Sequence, residues 1–252
     1  HAQRILEHLK DADGEVELLS KLGPSFDILG WHHEVEWAYR RLLEIKEKEL
    51  GPNHPQALES ANKIGMALRS QNQFAEAEAM FRRVLKGREK VLGRDHPNTL
   101  ISVNDVGLVL RDQHRYEEAE AMFRRAVEGR EKALKPGDPH LLGSVSNLAG
   151  ILQHQGRYEE AEGVYRRLLE GLEKDLGCDH PITLDTVSNL ALTLHFQDQH
   201  AEAELMYRRA LEGRERVLGP NHPSTLISIN DLGLVLQDLE QLKEAEGLFR
   251  RA

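Results

Sequence analysis

Apolar residues along this chain recur three and four positions apart, in blocks of about four turns separated by short polar breaks. After Pro55 come Leu58, Ala61, Ile64 and Leu68; the polar run Ser70-Gln71-Asn72-Gln73 follows, and then Phe74, Ala77, Phe81, Val84 and Leu85 lead on to Leu92-Gly93. This is the period of amphipathic helices, with a proline suited to the first turn of one and a glycine to the end of the other. The pattern predicts two helices, A and B, joined too closely for anything but an antiparallel hairpin. A single hairpin cannot bury both of its apolar faces, so the hairpins must stack.

The same block returns along nearly the whole chain. Leu50-Gly51-Pro52-Asn53-His54-Pro55, Leu92-Gly93-Arg94-Asp95-His96-Pro97, Leu176-Gly177-Cys178-Asp179-His180-Pro181 and Leu218-Gly219-Pro220-Asn221-His222-Pro223 recur on a 42-residue spacing or a multiple of it, and Leu134-Lys135-Pro136-Gly137-Asp138-Pro139 is in register but degenerate. Strict self-similarity at such a period marks a solenoid. Small residues at Gly65, Gly107, Ala149, Ala191 and Gly233 in helix A, and at Ala77, Ala119, Ala161, Ala203 and Ala245 in helix B, predict the closest helix approaches. Tyr39, Phe81, Phe123, Tyr165, Tyr207 and Phe249 supply a large packing residue once per repeat. The expected divisions are residues 1–8 as the end of a preceding helix, 9–50 as a divergent repeat, then 51–92, 93–134, 135–176, 177–218 and a truncated 219–252. The chain lacks an initial Met and stops at Arg250-Arg251-Ala252 partway through the pattern, which reads as an excised fragment whose truncated repeats would permit end-to-end self-association.

Composition narrows the function. A net charge of −9 disfavours nonspecific binding to nucleic acid, which needs clustered cations against phosphate. No apolar run approaches the length that spans a bilayer, and the N-terminal residues lack a signal-peptide pattern. Cys178 is the one cysteine, which rules out an internal disulfide and suits a reducing, cytoplasmic setting. No nucleic acid, membrane or cofactor is therefore expected as a partner.

The small–aromatic pattern resembles the tetratricopeptide repeat, and the 42-residue period with Leu-Gly-x-Asp/Asn-His-Pro at each boundary resembles the longer variant of kinesin light chains. Units such as Glu128-Gly129-Arg130-Glu131-Lys132 and Leu218 to Leu226 are similar to the near-identical repeats at the C-termini of fungal NOD-like receptors, where the array is a ligand sensor attached to a nucleotide-binding switch. No Gly-x4-Gly-Lys-Ser/Thr occurs in this sequence to serve such a switch. The expected architecture is an all-α, right-handed α-solenoid of antiparallel helix pairs.

The resemblance also implies an inner groove lined by helix A. One row would be Ser20, Asn62, Asn104, Ser146, Ser188 and Asn230; a second Pro24, Met66, Leu108, Gly150, Leu192 and Leu234; a third Asp27, Arg69, Arg111, Gln153, His195 and Gln237. The first row can hydrogen-bond the backbone of an extended peptide, the second can receive its side chains, and the varied third can choose among sequences. The opposing view is that these groups merely meet solvent or cap helices. An acidic segment is the ligand that Arg69 and Arg111 would favour.

Other features invite chemistry and have simpler explanations. His54, His96, His180 and His222 occupy equivalent positions in separate repeats, too far apart to share a metal, and are expected to be structural. Each first arginine of the Arg-Arg pairs at 40/41, 82/83, 124/125, 166/167, 208/209 and 250/251 follows a glutamate by four residues, so the basic stripe is largely self-neutralised. No catalytic constellation stands out. The expectation is a nonenzymatic interaction module taking a protein or extended peptide, within a larger signalling receptor; a cargo adaptor and a self-associating scaffold are the alternatives.

Overall fold

A computed structural model describes residues 31–251 together with 16 and 19–21. The expected terminal helix over 1–8, most of the first half of the divergent repeat, and the groove positions Pro24 and Asp27 lie outside the described residues. Among the described residues every element is helical and no strand occurs. In chain order they are α1 (His32–Leu50), α2 (Pro55–Ser70), α3 (Phe74–Leu92), α4 (Pro97–Asp112), α5 (Tyr116–Ala133), α6 (Pro139–His154), α7 (Tyr158–Leu176), α8 (Pro181–His195), α9 (His200–Leu218), α10 (Pro223–Asp238) and α11 (Leu242–Phe249). The chain divides into two compact units, 1–129 and 130–252. In the first, α1, α2, α3 and α4 pack each on the next, and in the second α6 to α11 do the same. This consecutive packing of helix pairs is the stacking of an α-solenoid.

The loops explain where the helices start and stop. His54, His96, His180 and His222 are N-caps: the imidazole Nδ1 accepts a hydrogen bond from the backbone N–H two residues on, at 3.2–3.3 Å, and a proline follows at the first helical position. In the degenerate boundary Asp138 does the same job, accepting from the His140 N–H at 2.8 Å. Upstream, Gly51, Gly93, Gly177 and Gly219 hold φ between +87° and +93°, a conformation closed to ordinary residues, and each donates its N–H to the carbonyl four residues back. The hydroxyls of Thr99, Thr183 and Thr225 then donate to the carbonyls of Gly93, Gly177 and Gly219 at 2.8–2.9 Å, locking the turn.

Packing within a pair is tight enough to dictate residue size. A methyl added to Gly107 would sit 2.6 Å from the Phe123 ring, which is itself fully buried. Helix B has its own close approach, at Gly87, Gly129 and Gly213, where an added Cβ would lie 2.5–2.7 Å from Leu58, Leu100 and Leu184 respectively.

Charged side chains tie each turn of the stack to the next. All six first arginines reach the glutamate four residues earlier at 2.5–2.7 Å. The second arginines reach into the preceding repeat: Arg125 meets Glu89 at 2.6 Å, Arg167 meets Glu131 at 3.1 Å, and Arg83, Arg209 and Arg251 pair with Glu47, Glu173 and Glu215. The stripe is thus neutralised across repeats as well as within them. Gln71, Gln113 and Gln197 in the A–B turns also donate to Glu36, Glu78 and Glu162 at 2.8–3.0 Å.

Candidate functional site

The polar, apolar and variable rows lie on α2 and α4 in the first unit and on α6, α8 and α10 in the second. Positions three and four apart share a helix face, so Asn62, Met66 and Arg69 form one column, as do Asn104, Leu108 and Arg111, and Ser188, Leu192 and His195. The last column is Asn230, Leu234 and Gln237.

The apolar row faces outward. Met66, Leu192 and Leu234 are 46%, 38% and 47% exposed, while Leu108 is half-buried. An exposed apolar residue is unremarkable alone, but one on each of α2, α8 and α10 beside a polar position is a repeated surface, which Gly150 interrupts on α6. Asn62 and Met66 also line a cleft of about 390 Å³ with Leu58, Arg88, Leu92 and Asn98. The Asn62 amide N–H₂ lies 4.0 Å from the Met66 sulfur, and its carbonyl oxygen is buried with no hydrogen-bond partner among the described residues. A buried acceptor left unpaired costs roughly 1–3 kcal/mol, and a donor entering the cleft would remove that cost.

The other polar positions differ. Ser20, Ser146 and Asn230 are exposed, and the Ser188 hydroxyl donates to the Leu184 carbonyl of its own helix at 3.2 Å. Asn104 is half-buried.

The variable row is less free than its sequence suggests. Arg69 donates through Nε to Asp112 at 2.5 Å, and Arg111 reaches the other oxygen of the same carboxylate at 3.2 Å. Two guanidinium charges therefore share one carboxylate, which halves the basic patch. Gln153 donates to the Thr193 hydroxyl at 2.8 Å, and His195 faces Asp238 at 3.6 Å. Among the described residues of the row, Gln237 alone is exposed. Each of the three contacts with a following helix A spans 40 to 43 residues, so no local pattern announces it.

Another group passed unmarked in the sequence. Arg88 donates to the Asn98 carbonyl and the Ser102 hydroxyl at 3.0 and 2.8 Å. Arg130 makes the equivalent contacts to His140 and Ser144, and Arg214 to Ser224 and Ser228 with an ion pair to Asp185 at 2.6 Å. Arg130 and Arg214 are only 4% and 5% exposed. The hint was the shared offset of ten and fourteen residues to a carbonyl and a serine. These arginines position helix A of the next repeat.

Nearby titration follows these contacts. Burial disfavours ionised Glu78, yet hydrogen bonds from Arg82 and Gln113 and the charges of Arg82 and Arg115 hold its carboxyl below the ordinary 4.5. Burial pushes the Tyr165 phenol up to about 12.

The family model described as tetratricopeptide repeat matches residues 36–90, 64–132, 141–216 and 206–252. The chain belongs to the tetratricopeptide repeat family. Among solved structures it is similar to the kinesin light chain nearly identical TPR-like repeats of Podosopora anserina, at 22% identity, covering 80% of this chain and 95% of that one with a TM-score of 0.73. BtubC (BKLC) from P. vanneervenii is 18% identical, with 87% and 89% covered and a TM-score of 0.72. YrrB, a TPR protein with an unusual peptide-binding site, is 14% identical, with 83% and 89% covered and a TM-score of 0.53. No curated protein matches. Family and fold support a protein-interaction module with a protein or peptide partner. No described helix is long and apolar enough to cross a membrane.

Proposed function

We propose that the helix A face of each unit binds an extended peptide segment, using Asn62 and Asn104 for backbone contacts with Met66 and Leu108 for side chains in the first unit, and Ser146, Ser188 and Asn230 with Leu192 and Leu234 in the second. The observation that carries this reading is the cleft of α2, where an exposed methionine adjoins an amide whose buried carbonyl lacks a donor. A peptide N–H supplies that donor, and its side chain covers the methionine. An acidic peptide residue would compete with Asp112 for Arg69 and Arg111 in the first unit, while His195 and Gln237 present different chemistry in the second. YrrB, a TPR protein with a peptide-binding site, supports the mode by likeness of fold.

We place the array in the cytoplasm, as the sensor or scaffold part of a larger signalling receptor like the fungal NOD-like receptors, with repeats divided at 51, 93, 135, 177 and 219. The support is the likeness between two of its units: 22 of 35 aligned positions agree between 92–126 and 218–252. The likeness to kinesin light chain repeats supports a second reading, a cargo adaptor, which a coiled coil in the parent protein would favour and a nucleotide-binding domain would oppose.

The test is selection of binders from a displayed library of random linear peptides, followed by affinity measurement on variants. The double substitution Asn62→Ala with Met66→Ala should weaken selected peptides about tenfold or more, the scale of one lost hydrogen bond to a buried group plus one side-chain contact. Leu205→Ala, at an exposed position of α9, should not. Equal affinities for all three proteins would refute the groove.

A further inference from the structure

We propose that His195, His200 and Asp238 form a binding site for a borderline divalent transition-metal ion, Zn²⁺ first, which staples the α8–α9 pair to α10. One donor atom from each lies within 4.8 Å of the others. His195 ends α8, His200 begins α9 and Asp238 ends α10.

The positions meet because the repeat brings them together, whatever residues they hold. One repeat earlier in register, Tyr158 and Phe196 occupy the places of His200 and Asp238, and their rings stack at 5.6 Å. Three repeats earlier, Arg69 and Asp112 occupy the places of His195 and Asp238 and pair at 2.5 Å. In the other complete repeats these slots hold arginine or glutamine at the first position and Phe74, Tyr116, Tyr158 or Leu242 at the second, and in the divergent repeat Asp27 and His32. Only the 195/200/238 junction fills all three with metal-ligating side chains. The coincidence needs a second histidine and a carboxylate beside His200, whereas His32 in the same register position has Ser70 in place of the carboxylate at 238.

Polar bookkeeping at the junction points the same way. The Nδ1 atom of His200 is buried and has no hydrogen-bond partner among the described residues, a lack that an ion would make good; His195 Nδ1 is also unpartnered, but the atom of that ring facing Asp238 is Nε2. Their rings lie 5.2 Å apart, inclined at 56°. His200 turns its Nε2 toward Asp198 at 3.8 Å, which leaves Nδ1 as the atom that can ligate an ion. His195 points Nε2 toward Asp238 at 3.6 Å, and Asp238 is 47% exposed, so its carboxylate can swing in from solvent. Tetrahedral zinc with bonds of about 2.1 Å sets its ligand atoms about 3.4 Å apart, so the trio must contract by roughly 1.4 Å, within reach of side-chain rotation. Two imidazoles and one carboxylate suit zinc and leave its fourth position to water. The site does not depend on peptide binding by the helix A face.

The experiment titrates metal-free protein, the full 252-residue chain, with Zn²⁺ by calorimetry and with Co²⁺ by visible absorption. One equivalent should bind, Co²⁺ should show the intense bands of a tetrahedral site, and Zn²⁺ should raise the melting temperature. His200→Tyr restores the residue that Tyr116 and Tyr158 show the fold accepts, and with Asp238→Ser it should lower affinity at least tenfold and abolish the cobalt bands. His114→Gln, removing an exposed histidine elsewhere, should leave both unchanged. Absence of stoichiometric binding, or equal affinity in His200→Tyr and wild type, would overturn the site.

Discussion

The close approach of helix B to helix A yields a sharp prediction at Gly213. An ideal Cβ there would lie 2.5 and 2.9 Å from the two methyls of Leu184, a side chain fully buried in the core. Contacts that short require Leu184 to leave its rotamer or α9 to shift, and overpacking of this kind costs roughly 1–3 kcal/mol. Alanine is also the better helix former by about 1 kcal/mol, so Gly213→Ala should destabilise by about 0–2 kcal/mol net. Gly163 supplies the control, because it lies on α7 in the same unit, is exposed, and has open space where a Cβ would go. Gly163→Ala should therefore gain about 1 kcal/mol, making the difference between the variants about 1–3 kcal/mol. Urea unfolding followed by circular dichroism measures it, with the slope checked because stacked repeats can lose two-state behaviour. If the two midpoints moved together by the same amount, glycine at this position would have no packing cause.

Three further outcomes follow from other contacts. Replacing Ala119, fully buried in α5, with leucine should destabilise by roughly 1–3 kcal/mol, read as a lower urea midpoint at unchanged slope. His96→Ala should cost about 1 kcal/mol through the lost N-cap, whereas His96→Asp should keep stability, as Asp138 caps α6; thermal melts distinguish them. Glu78 has its carboxyl held below 4.5 in the folded state, so it binds fewer protons than in the unfolded chain; its stabilisation is present above that value and is lost as pH falls through the lower folded one. Acid titration of Glu78→Gln should show a shallower loss of stability below about pH 4.5 than wild type.

Much of the fold was readable because each repeat states its instructions again. The prolines and glycines at the boundaries appear at fixed offsets, and each has a local cause: a missing N–H that costs nothing at Pro97, a φ of +93° at Gly93. Even the degenerate boundary kept Asp138 and Pro139, which suffices for a cap. What the sequence hid was contact between repeats. Arg69 with Asp112, and Arg209 with Glu173, pair across 43 and 36 residues, and such partners become visible only when the helix register is known. Arg214 reads as a surface residue in a charged run, yet the approach of α9 to α10 buries it against Ser228. The same limit applied to the candidate site. Its rows came from the family resemblance, but that Asp112 draws on both arginines depends on side chains from two helices, and that His200 joins His195 and Asp238 on side chains from three.

The central claim is that ligand lies on the helix A face. Its most direct measurement places a photoreactive amino acid at position 66, at position 234 or at the exposed position 205 of α9, and irradiates each protein with a peptide selected against wild type. The account predicts covalent adducts at 66 or 234 and none at 205. Adducts at 205 with none at either groove position would contradict it.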